Sequence, residues 1–279
     1  GGFCIEGLGP VLPDPEVEPM SRAILSGAGR LPALLLEAGP AHIVQFDGVP
    51  TAGLDAPVIK ARFEQLGTLF EALRAEGVSE LCLAGAMARP VLDPASFDPR
   101  TVELMPRILP TLTRGDDALL STIVAILEDE GFKIMGAHDI RPDLLAEEGI
   151  LAGMVSDAKR SDAARARMVL EALSPLDVGQ VAVVSNGQVL GIETKPGTDA
   201  MLEFVAKNAP SSGGVLVKRA KTGQDLRVDM PSIGPDTIRR ADEAGLSGLC
   251  IEAGGVLVLD QSEVITEAEA RGIALWAEA

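Results

Sequence analysis

Residues 217–234 read VKRAKTGQDLRVDMPSIG, a stretch that strings Lys218, Arg219, Lys221 and Arg227 around two carboxylates, Asp225 and Asp229. Gly223, Pro231 and Gly234 punctuate it, and the apolar residues beyond Ala220 stand singly. No helical period and no long alternation runs through it, so the expected structure is a polar loop with one short strand over residues 226–230. Cations that neutralise an anion, beside a carboxylate able to hold a metal or take a proton, are what phosphate-ester chemistry requires. A solvated surface loop whose charges pair locally has a similar composition. The elements around the stretch have to decide between the two.

A strand over residues 22–26 runs into Gly27-Ala28-Gly29-Arg30-Leu31-Pro32 and then a helix. Strand, glycine turn and helix is the arrangement that cradles phosphate on backbone N–H groups, with Gly27, Gly29 and Arg30 as the contacts. Pro32 stands where a dinucleotide fingerprint has its third glycine. A second strand (42–46), a helix over 65–76 with Leu66, Leu69, Phe70 and Leu73 on one face, and a third strand (81–84) follow. That last strand breaks at Gly85, with Arg89 a candidate phosphate ligand four residues on. Strands alternating with helices predict a parallel sheet with ligand groups beyond the strand C-terminal ends. Asp116 and Asp117 open a helix over 116–130 whose buried stripe includes Leu119, Ile123 and Leu127. They serve either the helix dipole or the hydroxyls of a sugar or nucleoside.

Beyond residue 134 the pattern changes. A basic helix over 159–173 carries Lys159, Arg160, Arg165 and Arg167, with Asp162 and Glu171 interleaved as on a solvated face. Asn186-Gly187 between two apolar runs predicts a hairpin over 181–193 with both turn residues at positive φ. The hairpin delivers Glu193 to Thr198 and Asp199, where the next helix starts; Thr198 suits an N-cap. A strand over 215–217 then feeds the polar stretch, and helices and strands alternate to residue 276. The fold class is therefore α/β in two domains: a loose N-terminal extension (1–19), a Rossmann-like parallel-sheet domain (20–133), and a mixed-sheet α/β domain (134–279) carrying the polar loop.

Composition narrows the chemistry. A net charge of −17 argues against a nucleic-acid partner, and aromatics at 3% with no Tyr leave little for base stacking. The three cysteines lie far apart, and with only His42 and His138 a zinc centre of the usual kind is not expected. No apolar run is long enough to span a membrane, and residues 1–19 lack the basic start and apolar core of a signal peptide.

In order along the chain stand GAGRLP, AGAMARP, RGDDALL, GAH, DVGQ, PGTDAML, GVLVK, GQDLRVDMPSIGPDTI and EAG. This series resembles the UDP-2,3-diacylglucosamine pyrophosphatases of lipid A synthesis, the form unrelated to metallophosphoesterases, from residue 20 to about 278. The resemblance implies a substrate held between a Rossmann-like domain and a second α/β domain. It implies hydrolysis of the diphosphate to UMP and 2,3-diacylglucosamine 1-phosphate, water attacking the α-phosphorus, with Mg²⁺ or Mn²⁺. It also implies a cytoplasmic setting at the inner membrane of a Gram-negative bacterium, with transient contact to that surface; a homodimer is left open.

Carried over, Asp229 within RVD is the catalytic carboxylate. Pro196 and the segment Met230 to Gly234 depart from the E-G-T-D and L-P-T-I-G that family members more often carry. Gln224 and Thr198, within the family's motifs, are further candidate substrate contacts; independently of the family, Lys218, Lys221 and Arg227 can neutralise the diphosphate. Asp229 with Glu193 or Asp199 can hold the metal, because Mg²⁺ takes carboxylates plus water and substrate oxygens. Two other classes keep part of the pattern. One is a nicotinamide-dependent oxidoreductase using the first glycine turn, with Asp47 near the ribose position. The other is a non-catalytic sugar-nucleotide sensor that has no need of Asp229.

Overall fold

The computed structural model describes residues 21–51, 53–112 and 116–279, the side chain of Asp116 excepted; the expected extension 1–19 lies outside them. The first unit runs β1 (Arg22–Ser26), α1 (Leu31–Leu36), β2 (His42–Phe46), β3 (Val58–Ala61), α2 (Leu66–Ala75), β4 (Glu80–Ala84), α3 (Pro99–Ile108), α4 (Asp116–Asp129), β5 (Lys133–Ile134) and α5 (Ala137–Ile140). Its strands pair in parallel in the order β3-β2-β1-β4-β5, the order of a doubly wound sheet. The central strands read as unbroken apolar runs because both faces are covered. Leu69, Phe70 and Leu73 of α2, Leu104 and Ile108 of α3, and Val124 and Leu127 of α4 cover one face. Leu34 and Leu35 of α1 and Ala137 of α5 cover the other.

Two of these elements have no counterpart among the elements expected from the sequence. β3 is a short edge strand. α3 forms despite Pro106 in its last turn, because Asp98 caps it by accepting the Thr101 N–H at 2.7 Å while Leu104, Met105 and Ile108 bury their side chains. Asp98 also accepts the Thr68 N–H at 2.9 Å, tying the starts of α2 and α3 together.

The second unit runs β6 (Gly149–Ala152), α6 (Asp157–Leu173), β7 (Val181–Ser185), β8 (Gln188–Ile192), α7 (Gly197–Asn208), β9 (Val215–Lys218), β10 (Ser232–Ile233), α8 (Pro235–Glu243), β11 (Gly248–Glu252), β12 (Leu257–Val258), α9 (Gln261–Arg271) and β13 (Ala274–Glu278). Its main sheet has the order β6-β13-β11-β9-β7-β8, with β13, β11 and β9 parallel and the outer strands antiparallel. It is mixed, as expected. α7, α8 and α9 bury one face and α6 the other. The hairpin forms with Asn186 at φ 51° and Gly187 at φ 75°. Asp162, expected on a solvated face, is instead buried: it accepts the N–H groups of Asn186 (2.9 Å) and Gly187 (2.7 Å) and so docks the hairpin on α6.

The two units share side chains. Leu257 is fully buried in the core formed by Leu34, Leu35 and Ile43, with Met230 and Leu259 packed beside it. Val228 packs into the opposite core, against the layer of α2, α3 and α4.

Candidate active site

The glycine turns after β1 and β4 do lie on one sheet edge, but they do not form the expected phosphate cradle. Ala28 N–H donates to the Ala86 carbonyl at 2.8 Å, Ala86 N–H returns to the Ala28 carbonyl at 2.9 Å, and Gly27 N–H donates to Ala84 at 2.7 Å. These N–H groups are consumed by the other turn. Gly27 and Gly85 are glycines because the turns press together: a Cβ on either would meet the opposite backbone at 2.6 Å. Arg30 goes to Asp260 (3.2 Å) and Glu37 (3.1 Å), bridging the two units. Arg89 donates to the Leu112 carbonyl at 2.5 Å.

The polar loop begins at the C-terminal end of β9. Residues 226–230 are a turn, not the expected strand. The Asp225 carbonyl accepts both the Val228 and Asp229 N–H groups at 3.1 Å, and its carboxylate accepts the Arg227 N–H at 3.1 Å. An aspartate that satisfies its own downstream backbone competes successfully with strand pairing. Asp225 also grips the Arg227 guanidinium in a fork, at 3.0 Å to Nε and 2.7 Å to Nη2, while Nη1 reaches Glu128 of α4 at 2.8 Å. That fork holds the Asp225 carboxyl below its ordinary range and pushes Arg227 up.

Asp229 follows two residues later, directed inward. Gln224 Nε2 donates to its Oδ2, and Asp117 at the start of α4 approaches the same carboxyl. Burial pushes the Asp229 pKa up; the neighbouring Asp117 adds to the rise, and Gln224 and Lys221 oppose it. Lys221 Nζ lies 3.0 Å from Asp117 and also contacts Asp177. Burial draws the Lys221 pKa down, but the hydrogen bonds to these two carboxylates outweigh it and the net shift is upward. One ammonium therefore sits among Asp117, Asp177 and Asp229, drawn from both units. Asp117 thus joins this cluster; the Asp116 side chain lies outside the described residues.

The expected metal set is not assembled. Both Glu193 oxygens are engaged, by the Gln180 N–H at 2.8 Å and the Thr198 hydroxyl at 2.6 Å. Thr198 is thus not a helix cap; Pro196 occupies that position and α7 has no side-chain cap. Asp199 faces Arg240 at 3.3 Å. The carboxylate beside Asp229 is Asp117, 112 residues distant in sequence by their numbering. Among the described residues no group of three or more His, Cys, Asp or Glu is placed to hold a metal ion by itself. Lys218 ends β9; burial lowers its pKa, and the charges of Glu193 and Asp199 oppose the shift.

Sequence reasoning passed over Asp177 and Gln180, which join this cluster, although both belong to the DVGQ motif. It also gave no location for an apolar cavity. A cavity of about 630 Å³ opens beside the loop. Phe46, Phe63, Phe70, Met105, Ile108, Leu119 and Ile123 line its interior, and Gly29, Arg30, Arg89, Arg227 and Asp229 also border it. Few polar groups at one end of a deep apolar chamber is the usual form of a site for an amphipathic small molecule. Among the described residues no helix is long and apolar enough to cross a membrane.

The solved dCMP deaminase of cyanophage S-TIM5 aligns at 15% identity with a TM-score of 0.27, over 45% of this chain and 100% of that one, too slight a likeness to bear on fold or function. The UDP-2,3-diacylglucosamine pyrophosphatase LpxI of Caulobacter vibrioides is 38% identical over 265 residues, 90% of this chain and 94% of that protein. Family models described as the LpxI N-terminal and C-terminal domains match residues 21–144 and 147–276. Both halves of the molecule, with the loop that joins their chemistry, thus place the chain in the LpxI family.

Proposed function

We propose that this chain hydrolyses the diphosphate of UDP-2,3-diacylglucosamine, releasing UMP and 2,3-diacylglucosamine 1-phosphate, with water attacking the α-phosphorus. The observation that carries this reading is the meeting of Asp229, Asp117 and Lys221 beside an apolar cavity of about 630 Å³. The polar cluster suits a diphosphate and the chamber suits acyl chains, so an amphipathic sugar nucleotide satisfies both ends. Membership of a family whose Caulobacter member is named for this activity supports the same substrate.

The residues fit a divalent cation. Three carboxylates around one ammonium leave local negative charge that a diphosphate cannot approach unaided, and Mg²⁺ is commonly held by one or two carboxylates with substrate oxygens completing its shell. Asp229 and Asp117 would hold it. When bound, Mg²⁺ or Mn²⁺ would neutralise the negative charge of the diphosphate. Asp229 orients the attacking water and receives its proton, Gln224 holds the carboxylate in place, and Lys221 pairs with Asp117 beside it. Val228 and Met230, packed into the first unit, keep the loop closed over the chamber. The reaction belongs at the cytoplasmic face of the inner membrane of a Gram-negative bacterium, which the protein meets transiently to take up its lipid.

The test is the purified protein with UDP-2,3-diacylglucosamine in ¹⁸O-water. UMP carrying the label, produced with Mg²⁺ or Mn²⁺ and abolished by EDTA, is the expected result. Label in the lipid phosphate would move the attack to the β-phosphorus, and full activity after exhaustive chelation would remove the cation.

A further inference from the structure

Resting on that reading, we infer that Gln180 is a positioning residue: through Gln224 it fixes which oxygen of Asp229 is left to the reaction. A glutamine amide is a donor on one side and an acceptor on the other, and its surroundings determine which side faces a neighbour. Two donors converge on the Gln224 Oε1 atom, the Lys221 N–H at 3.0 Å and the Gln180 Nε2 at 3.0 Å. Reversal of the amide would set its NH₂ against both donors and its oxygen against a carboxylate. Gln224 therefore presents N–H to Asp229 Oδ2, leaving the other oxygen for water or cation.

Gln180 can impose this because its own backbone is fixed on both sides. Its N–H donates to Glu193 at 2.8 Å, and its carbonyl accepts the Arg219 N–H at 3.0 Å. Glu193 is in turn held by the Thr198 hydroxyl. The row from Thr198 through Glu193, Gln180 and Gln224 ends on Asp229, which gives Glu193 and Thr198 a part in the site without contact to substrate. Asp229 needs such a hold, since it is half-buried beside Asp117 and has Lys221 close by as an alternative partner.

The experiment uses the full chain with Gln180→Glu, Gln180→Leu and Gln224→Leu, and Asp229→Ala as reference. Gln180→Glu replaces a donor by an acceptor at Gln224 Oε1 and favours the reversed amide. Misplacing a reacting group by about an ångström costs on the order of 10²-fold, so kcat should fall roughly 10- to 100-fold while KM moves less than about threefold. Melting temperature should stay near that of the parent. Independently of activity, the Gln224 side-chain amide resonances, identified by their absence in Gln224→Leu, should shift in Gln180→Glu without substrate or metal.

Parental kcat in both Gln180 variants, or an unmoved Gln224 signal, overturns the inference. Should those variants unfold, the parent protein decides. A Gln224 amide that exchanges with water as freely as an exposed one overturns the inference, and a protected one upholds it. Should Asp229→Ala stay active, the catalytic role given to Asp229 falls and the inference with it, and absence of UMP release by the parent would remove the hydrolytic assignment; inactive Asp229→Ala beside fully active Gln180 variants removes only the role given to Gln180.

Discussion

The turns after β1 and β4 and the loop after β9 occupy equivalent places, each at the C-terminal end of a central strand of its sheet. Both are punctuated by glycine and both carry arginine, yet they satisfy themselves differently. The turns settle their backbone polarity locally, Ala28 against Ala86, and their glycines serve close approach. The loop sends its side chains outward: Lys221 reaches Asp117 and Arg227 reaches Glu128, both in the other unit. What remains in the turns is packing, and what remains in the loop is a half-buried carboxylate with a raised pKa. Glycine content marked backbone geometry in both places. The chemistry followed the carboxylate that its surroundings leave uneasy.

The comparison can be broken most directly at Asp229. Asp229→Ala should lower turnover by at least roughly 10³-fold, about 4 kcal/mol of barrier, in an assay of UMP release. Asp225→Ala, which releases the Arg227 fork and the Arg227 N–H, should cost much less. Equal damage from the two would erase the distinction between them. The chamber offers a second test. Ile123→Trp, projecting into the cavity, should cut kcat/KM for long-chain substrate by about 10- to 100-fold, since differences of a few methylenes in an apolar pocket are each worth roughly 1–3 kcal/mol. Short-chain analogues should be spared, and a uniform loss across chain lengths would place the acyl groups elsewhere.

On the turn side the effects are on stability. Gly85→Ala must strain a φ of 91° and meet the Ala28 carbonyl at 2.6 Å. At about 1–3 kcal/mol for the backbone strain alone, the melting temperature should fall by roughly 5 °C. Gly29→Ala has the strain but no neighbour within 4 Å, and should lose less. The smallest effect runs the other way. Asp229 has a folded-state pKa above its unfolded value, so the stability linked to its proton is present at low pH and is lost as pH rises through the folded value. Asp229→Asn should therefore melt slightly higher than the parent at neutral pH without divalent cation, with the gap closing as pH falls below about 4, the ordinary aspartate range. A lower melting temperature at neutral pH would mean that the carboxylate is structural.

Elements defined by a local rule were legible in the sequence. The apolar stripe of α2 and the Asn186-Gly187 hairpin each follow from a few neighbouring residues, and both stand where expected. α3 was hidden by Pro90, Pro94, Pro99, Pro106 and Pro110, because the chain's strongest breakers lie in and around a helix that tertiary burial stabilises. The edge strands β3 and β6 are four residues each and too short to declare a period. Within the site, Lys221 and Asp229 were visible as charges in an odd loop, but the choice of Asp117 as their partner depends on how α4 meets β9. Glu193 and Asp199 were the expected metal partners of Asp229, but Thr198 and Arg240 engage them instead. Spacing reports neighbours on one element; it does not report which elements converge.

The burial of Val228, Met230, Leu257 and Leu259 against the first sheet's cores bears on how the protein is made. On the ribosome the parallel sheet emerges long before the segments that seal it. More than a hundred residues separate Leu144 from Leu257, and at roughly 5–20 residues per second the nascent sheet waits on the order of 10 s with apolar surface uncovered. During that interval the early half is exposed to chaperones and to neighbouring nascent chains. The same late-arriving loop that carries Asp229 closes it, so completion of synthesis, shielding of the apolar chamber and assembly of the acid cluster become one event.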